Sequence, residues 1–352
     1  MESEGRAHTG VGSKFHGFRV KTRRSRLISI PLGLGLLGIA FAQPAVLPRR
    51  EITLTAQAVP LNTAGPNTVE AGALRYLGGL WLRSEDRGFG GLSGLIAEEN
   101  QGVVEIVAVT DQGGRFTARL GVEAGQLRGV LSATIEPLRD LYGVPVSGKS
   151  WGDAESITRL PDGRVLVGFE RRHRIWTYGP EFEGPATTFA TPPALLSASS
   201  NGGLESIAAW PDGRILAITE RLKTPAGQTA AFLFTKGAWT TLEWKASAKG
   251  FEPSDATVLP GGDLLVLERF WSPLAPMDPR SRILRVKGAS VVAGATLEGE
   301  LVAELKAPLI AGNFEGITAF KGPRGVTRLL LVSDNNFSAL QRTLLLLFEL
   351  RD

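Results

Sequence analysis

An all-β chain folded as a single β-propeller is what this sequence predicts, on three observations. The first is a repeat. The segment from Glu155-Ser-Ile through Pro161-Asp162-Gly163 to Glu170-Arg171 returns as Glu205-Ser-Ile, Pro211-Asp212-Gly213 and Glu220-Arg221. A looser copy runs from Ser254 through Pro260-Gly261-Gly262 to Glu268-Arg269. The second is the run of short apolar stretches, broken by Gly, Pro, Asn and Asp, that continues to the C-terminus; the 43 glycines of the 352 residues suit many tight turns. The third is the absence of any long apolar stripe at helical spacing. Repeats of this size, each a few short strands, are what propeller blades look like.

Residues 1–42 read as a targeting segment. Lys21, Arg23, Arg24 and Arg26 form a basic region, Leu27 to Ile39 is an uncharged apolar run, and Ala40-Phe41-Ala42 supplies small residues for cleavage. The apolar run is shorter than the roughly 20 residues that span a bilayer. Thr22-Arg23-Arg24-Ser25-Arg26-Leu27 also resembles a twin-arginine export signal. The expectation is export to the periplasm or beyond, leaving a domain over residues 43–352.

Removing that segment changes the charge. It holds seven of the 39 Lys and Arg and two of the 35 Asp and Glu, leaving 32 basic residues against 33 acidic ones. A basic footprint for nucleic acid is not there. The chain has no cysteine, which excludes disulfides, thiolate chemistry and Cys-ligated metals. His173 is the one histidine of the domain, so sites and mechanisms needing two are excluded as well.

Taken in order, Glu51–Val59 alternates and is rich in β-formers, and 72–82 is a second strand interrupted by glycines. Two further segments fit the repeat when its turn varies: Gly91-Leu-Ser93 to Asp111, and Asn313-Phe-Glu315 to Asp334-Asn335-Asn336. The five anchors Ser93, Glu155, Glu205, Ser254 and Glu315 are 49 to 62 residues apart. At roughly 40–50 residues per blade the domain holds six blades, with five and seven remaining open. Thr343–Leu350 is a buried strand, and Ile52–Val59 is the candidate to pair with it and close the ring, removing two sheet edges. The spacers near 112–150 and 271–312 read as loops and extra strands. The prolines of Trp271–Pro279 make that stretch a surface loop beside a site.

The acids lie symmetrically about each turn. A hairpin sets such residues side by side at its open end, and blades all point the same way around the axis. The expectation is one cluster at the channel mouth, formed by Asp111, Glu155, Glu170, Glu205, Glu220, Glu268, Glu315 and Asp334, with Asp255 nearby. So many carboxylates need compensation. Arg171, Arg221 and Arg269 offer ion pairs, which serve equally well as locks between blades. Ca²⁺ offers the other route, with carboxylates, Asn335 and Asn336 as hard oxygen ligands. Pro-Asp-Gly is turn chemistry. His173 reads as a packed or surface residue, and Ser93 lacks the Gly-x-Ser-x-Gly elbow of a serine hydrolase.

These motifs, in this order, resemble the phytase-like, or "esterase-like activity of phytase", family of exported bacterial proteins, over about residues 70–350. The resemblance implies a β-propeller that hydrolyses phosphoesters or esters, with Ca²⁺ as in alkaline β-propeller phytases. One departure is that no basic run is present to meet many phosphates. The resulting expectation is a monomer acting on a small (phospho)ester. Ca²⁺ is bound by Asp111, Glu155, Glu170, Glu205, Glu268, Glu315, Asp334 and Asn335, and the reaction is carried by Glu205, Glu220, Arg171, Arg221 and Arg269. The alternatives are a non-catalytic binding propeller whose acids are structural, and a calcium-dependent lactonase-type hydrolase.

Overall fold

The computed structural model describes residues 49–270, 278–338 and 340–351. The expected export segment and most of the expected Trp271–Pro279 loop lie outside them. Five sheets form the domain. Their first strands, Leu92–Asn100, Ala154–Arg159, Leu204–Ala209, Phe251–Val258 and Phe314–Lys321, each pack on the next, and the last packs on the first. The ring is therefore a five-bladed propeller, at the lower end of the range left open by the sequence. The spacer at 112–150 adds no blade because it is spent on two long strands, Gly114–Glu123 and Gln126–Pro137, of the first blade. The spacer at 271–312 likewise supplies the outer strands Arg280–Val286 and Glu300–Leu305 of the fourth blade, and lends Thr296–Leu297 to the third. Among the described residues no helix is long and apolar enough to cross a membrane.

Closure uses both ends of the domain. Thr343–Leu350 pairs with Leu74–Arg83, and Thr55–Val59 adds outside it. The strand that meets the C-terminal one is thus Leu74–Arg83 rather than Ile52–Val59. Burial explains the order. Leu74, Tyr76, Leu77, Leu80 and Leu82 are all buried, as an interior strand requires, whereas Thr55–Val59 is mostly exposed and suits an edge.

Blades stack face to face, so most of their second strands are covered on both sides and hold long apolar runs. Val165–Phe169 and Leu264–Leu267 are wholly buried, and so is Leu329–Val332. Near the axis the first strands converge, and the residue after each anchor is small or polar: Gly94, Ser156, Ser206, Asp255, Gly316. A Cβ at Gly94 would lie 2.9 Å from the Ile157 amide nitrogen, and one at Gly316 would lie 2.7 Å from the Ser93 carbonyl oxygen. Only glycine fits those two approaches.

One buried ion pair ties the fifth blade to the first. Arg328 Nη1 donates to both Glu99 oxygens at 2.7 and 2.6 Å, and the two side chains are 4% and 3% exposed. Removing one partner strands the other charge in the interior. Glu99→Ala is expected to lower the stability by about 3–5 kcal/mol, read from urea unfolding. Glu99→Leu combined with Arg328→Met should recover most of that loss.

Candidate functional site at the propeller mouth

The site begins with a backbone defect repeated five times. Leu204 pairs with Thr219 and Ser206 with Ile218, so Glu205 has no cross-strand partner. The same one-residue slip leaves Glu155, Ser254 and Glu315 unpaired, and falls between Leu92 and Leu95 around Ser93. A β-bulge takes the odd residue out of the pleat and re-aims its side chain. Ser93, Glu155, Glu205 and Glu315 consequently line one cavity of about 220 Å³. Ser254 instead donates to the Phe314 carbonyl oxygen at 3.0 Å.

The second acid of each hairpin is set by a recurring backbone bond to the residue two before the anchor. The Asp111, Glu170, Glu220 and Asp334 amides donate to the carbonyl oxygens of Gly91, Asp153, Gly203 and Asn313 at 2.8–3.0 Å. In the fourth blade this register pairs Glu252 with Arg269, which places Arg269 where the other blades carry an acid. Glu268 does not reach the mouth. It accepts from Trp244 Nε1 at 2.8 Å and the Ser247 amide at 3.2 Å, between the third and fourth blades. The sequence held the clue: Arg269 follows Ser254 at the distance at which Glu170 follows Glu155 and Glu220 follows Glu205, whereas Glu268 falls one residue short.

The cavity is lined by eight acidic side chains against Lys149, Arg221 and Arg269. Arg269 holds the centre. Its Nη2 donates to Glu220 Oε1 at 2.8 Å, and its Nη1 donates to Asn313 Oδ1 at 3.0 Å and pairs with Glu315 Oε1 at 2.9 Å. Burial works against its charge, and Glu315, Glu220, Glu205 and Glu155 more than offset that, so it stays protonated. On the opposite side Lys149 Nζ donates to Asp111 at 2.7 Å and lies 3.3 Å from Asp153 Oδ1. Arg171 donates to Asp153 Oδ2 at 2.7 Å and does not line the cavity.

Burial pushes the carboxyls up. Glu205 is raised well above the usual range by burial and by Glu170, Glu220 and Glu155, and it accepts no hydrogen bond from a described residue. Glu155 is raised by burial and by Asp153 and Glu170, although the Ser93 hydroxyl donates to it at 2.7 Å. Glu220 and Glu315 are pushed up to about 7 by burial against the pull of Arg269, and Asp334 to about 6. Glu170 is also raised by burial, although its Oε1 accepts from the Gly202 and Gly203 amides at 2.9 and 2.5 Å.

A sequence comparison assigns the fold to a family: the description "Phytase-like: Esterase-like activity of phytase" matches residues 87–337. The chain belongs to the phytase-like family. No functionally curated protein matches it significantly. Among solved structures, the catalytic domain of the Coprinopsis cinerea GH62 α-L-arabinofuranosidase is similar at TM-score 0.48 and 12% identity, over 86% of this chain and 98% of that one. A glycosyl hydrolase from Bacteroides ovatus is similar at TM-score 0.42 and 12% identity, over 84% and 96%. At these values the two likenesses carry no argument about activity.

In this phytase-like chain, Asp153, Glu155 and Glu170 place one oxygen each within 4.8 Å of one another, a set that could hold a metal ion. Asp153 Oδ1 is buried and accepts no hydrogen bond. An all-oxygen anionic set, in which Asp153 Oδ1 has only the Lys149 ammonium beside it at 3.3 Å, fits a hard cation such as Ca²⁺. Asp153 and Lys149 escaped sequence reasoning because both sit just outside the repeat. Asp153, though, precedes its anchor as Asn313 precedes Glu315, which was the available signal. One expected ligand, Asn335, and Asp255, expected near the cluster, lie elsewhere. Asn335 Oδ1 accepts from the Phe337 amide at 3.2 Å and the Gly91 amide at 3.4 Å, fixing the rim, and Asn336 lines the cavity in its place. Asp255 is buried between the fourth and fifth blades, accepting from the Ile317 amide at 2.7 Å. His173 packs on Gly203 and meets the Ser199 carbonyl oxygen, as a packed histidine should.

The raised carboxyls make stability fall as pH rises. Their folded values exceed the roughly 4 of an unfolded chain, so the folded state keeps protons the unfolded chain has released. That contribution is fully present below about pH 4 and is lost as pH rises through the 6 to 7 of Asp334, Glu220 and Glu315. In chelator, unfolding free energy is expected to fall by on the order of 3 kcal/mol from pH 5 to pH 8. Glu220→Gln with Glu315→Gln should flatten that slope in denaturant titrations at each pH.

Proposed function

We propose that the protein is a metal-assisted hydrolase of phosphomonoesters and related esters, working at the acidic mouth. The observation that supports this best is the Asp153, Glu155 and Glu170 oxygen set beside the Arg269 guanidinium. Eight acids against three bases repel a phosphate, so an anionic substrate needs a cation to enter. Ca²⁺ held by Asp153, Glu155 and Glu170 would neutralise them and polarise the phosphoryl or carbonyl oxygen. Further carboxylates, Asp111 and Asp334, face the same space from the first and fifth blades. Lys149 orients Asp111 and Asp153, and Arg171 fixes Asp153 from behind.

Glu205 and Glu220 suit proton transfer. Glu205 is held protonated by burial and its acidic neighbours, and donates its proton to the departing alcohol oxygen. Glu220, pushed up to about 7 between Arg221 and Arg269, can accept a proton from the attacking water near neutral pH. Arg269 and Arg221 steady the negative charge on the phosphoryl or carbonyl oxygens as water attacks and the alcohol departs. The products are the alcohol and phosphate, or the alcohol and acid from a carboxylic ester.

A non-catalytic binding propeller is the second reading. It is favoured by the saturation of the arginines, since Arg221 already chelates Glu252 at 2.9–3.2 Å and also meets Glu220. The two readings separate in one experiment. Phosphomonoesters, carboxylic esters and lactones are offered to the purified protein with Ca²⁺ and with chelator. Chelator-sensitive turnover of any of them is expected, with losses of 10²-fold or more in Glu205→Gln. No such turnover would sink the hydrolase reading. Ca²⁺ should also raise the thermal midpoint at pH 8, and Asp153→Asn should abolish that shift.

A further inference from the structure

The acidic cavity does not stand alone. A larger cleft of about 550 Å³ adjoins it, and Arg269 and Asn336 line both. The chemistry changes across that partition. Phe270, Pro279, Ala307, Ala311, Leu340 and Leu344 form its apolar wall, with Gln341 and Arg342 at its polar side. Its polar groups are largely spoken for: Asp278 pairs with Arg280, and the Asn313 carboxamide accepts from Arg269 and donates to Glu315 at 2.7 Å.

The partition itself is held under strain. Asn336 and Phe337 are consecutive non-glycine residues with φ of 47° and 50°, a conformation costing of order 1 kcal/mol or more each. Three hydrogen bonds impose it. The Asn336 amide donates to Asp334 Oδ1 at 2.8 Å, the Phe337 amide to Asn335 Oδ1 at 3.2 Å, and Asn336 Nδ2 to Gln341 Oε1 at 2.9 Å. Asn336 is thereby fixed where the two chambers meet.

We propose that the cleft is the subsite for the organic half of the substrate, and that the substrate class is a monoester of an apolar alcohol. This rests on the hydrolase reading of the mouth. Its volume falls in the range that encloses a small organic ligand. Its cations are Arg342 and Arg269, the latter engaged by Glu220 and Glu315, too few for a polyphosphorylated polyol. The ester's charged group faces the acids, Arg269 and their cation, while its alkyl or aryl body lies beyond Asn336. Hydrolysis consumes one water, breaks the bond from phosphorus to the alcohol oxygen and releases the alcohol with the proton from Glu205 into the cleft.

The test compares n-hexyl phosphate with ethyl phosphate, whose leaving alcohols have similar acidity, using the full protein with Ca²⁺. The hexyl ester should win by about tenfold or more in kcat/KM, mostly through KM. Ala311→Trp, which fills the cleft, should erase that preference, bringing the ratio of the two kcat/KM values close to one. The exposed Ala307→Trp serves where the first variant melts early. Equal kcat/KM for both esters, or a preference that survives both tryptophans, overturns the proposal. Calorimetric binding of n-hexylphosphonate against ethylphosphonate needs no turnover and separates this idea from the hydrolase reading. Tighter hexyl binding that either tryptophan abolishes supports the cleft even where neither ester is cleaved, and equal or absent binding of the two overturns it.

Discussion

Everything at the mouth depends on a one-residue slip in strand pairing, made once per blade. Without it Glu155, Glu205 and Glu315 would alternate with the pleat and be spent on the packing between blades. With it, each first strand turns one side chain out of register toward the axis. The backbone bond to the residue two before the anchor then sets the neighbouring strand's acid at the same height. Geometry that brings ten positions together this way is a property of the main chain, and the side chains only fill it.

How they fill it is an electrostatic problem solved by one substitution in the pattern. Four blades put an acid at the second position and the fourth puts Arg269 there. That guanidinium, within reach of Glu220 and Glu315 and felt by Glu205 and Glu155, joins Arg221 and Lys149 in keeping the ring from being purely repulsive. It does not neutralise the ring, since the remaining carboxyls respond by holding protons. A proton and a hard cation are alternative ways of meeting the same surplus charge, which couples any metal affinity here to pH.

Most of the fold was legible because propeller blades repeat a pattern of period two with turn residues at fixed places. The blade count was harder to read, since long outer strands and a strand lent to a neighbouring blade use residues without adding blades. The candidate site was legible where an acid belonged to the repeat, as for Glu155, Glu170, Glu205, Glu220 and Glu315. It failed by a single residue at Glu268, because the Glu-Arg dipeptide matched as letters while the strand register matched as geometry. Lys149 was invisible for another reason: it enters from the connection between two blades, where nothing repeats, and Asp153 showed only through its place two residues before its anchor.

The closing blade carries a consequence for how the protein comes to be folded. Leu74–Arg83 lies early in the domain, yet its inner edge is satisfied only by Thr343–Leu350. Until that late strand has been synthesised, an apolar strand waits with open hydrogen-bonding groups, a species prone to pairing with the wrong partner. The inner strands of the four other blades are local in sequence and can assemble as the chain emerges, whereas the fifth depends on a contact of very long sequence separation and so comes last and slowly. A truncation that costs only Thr343–Leu350 would therefore harm far more than one strand, because it would leave the circle open.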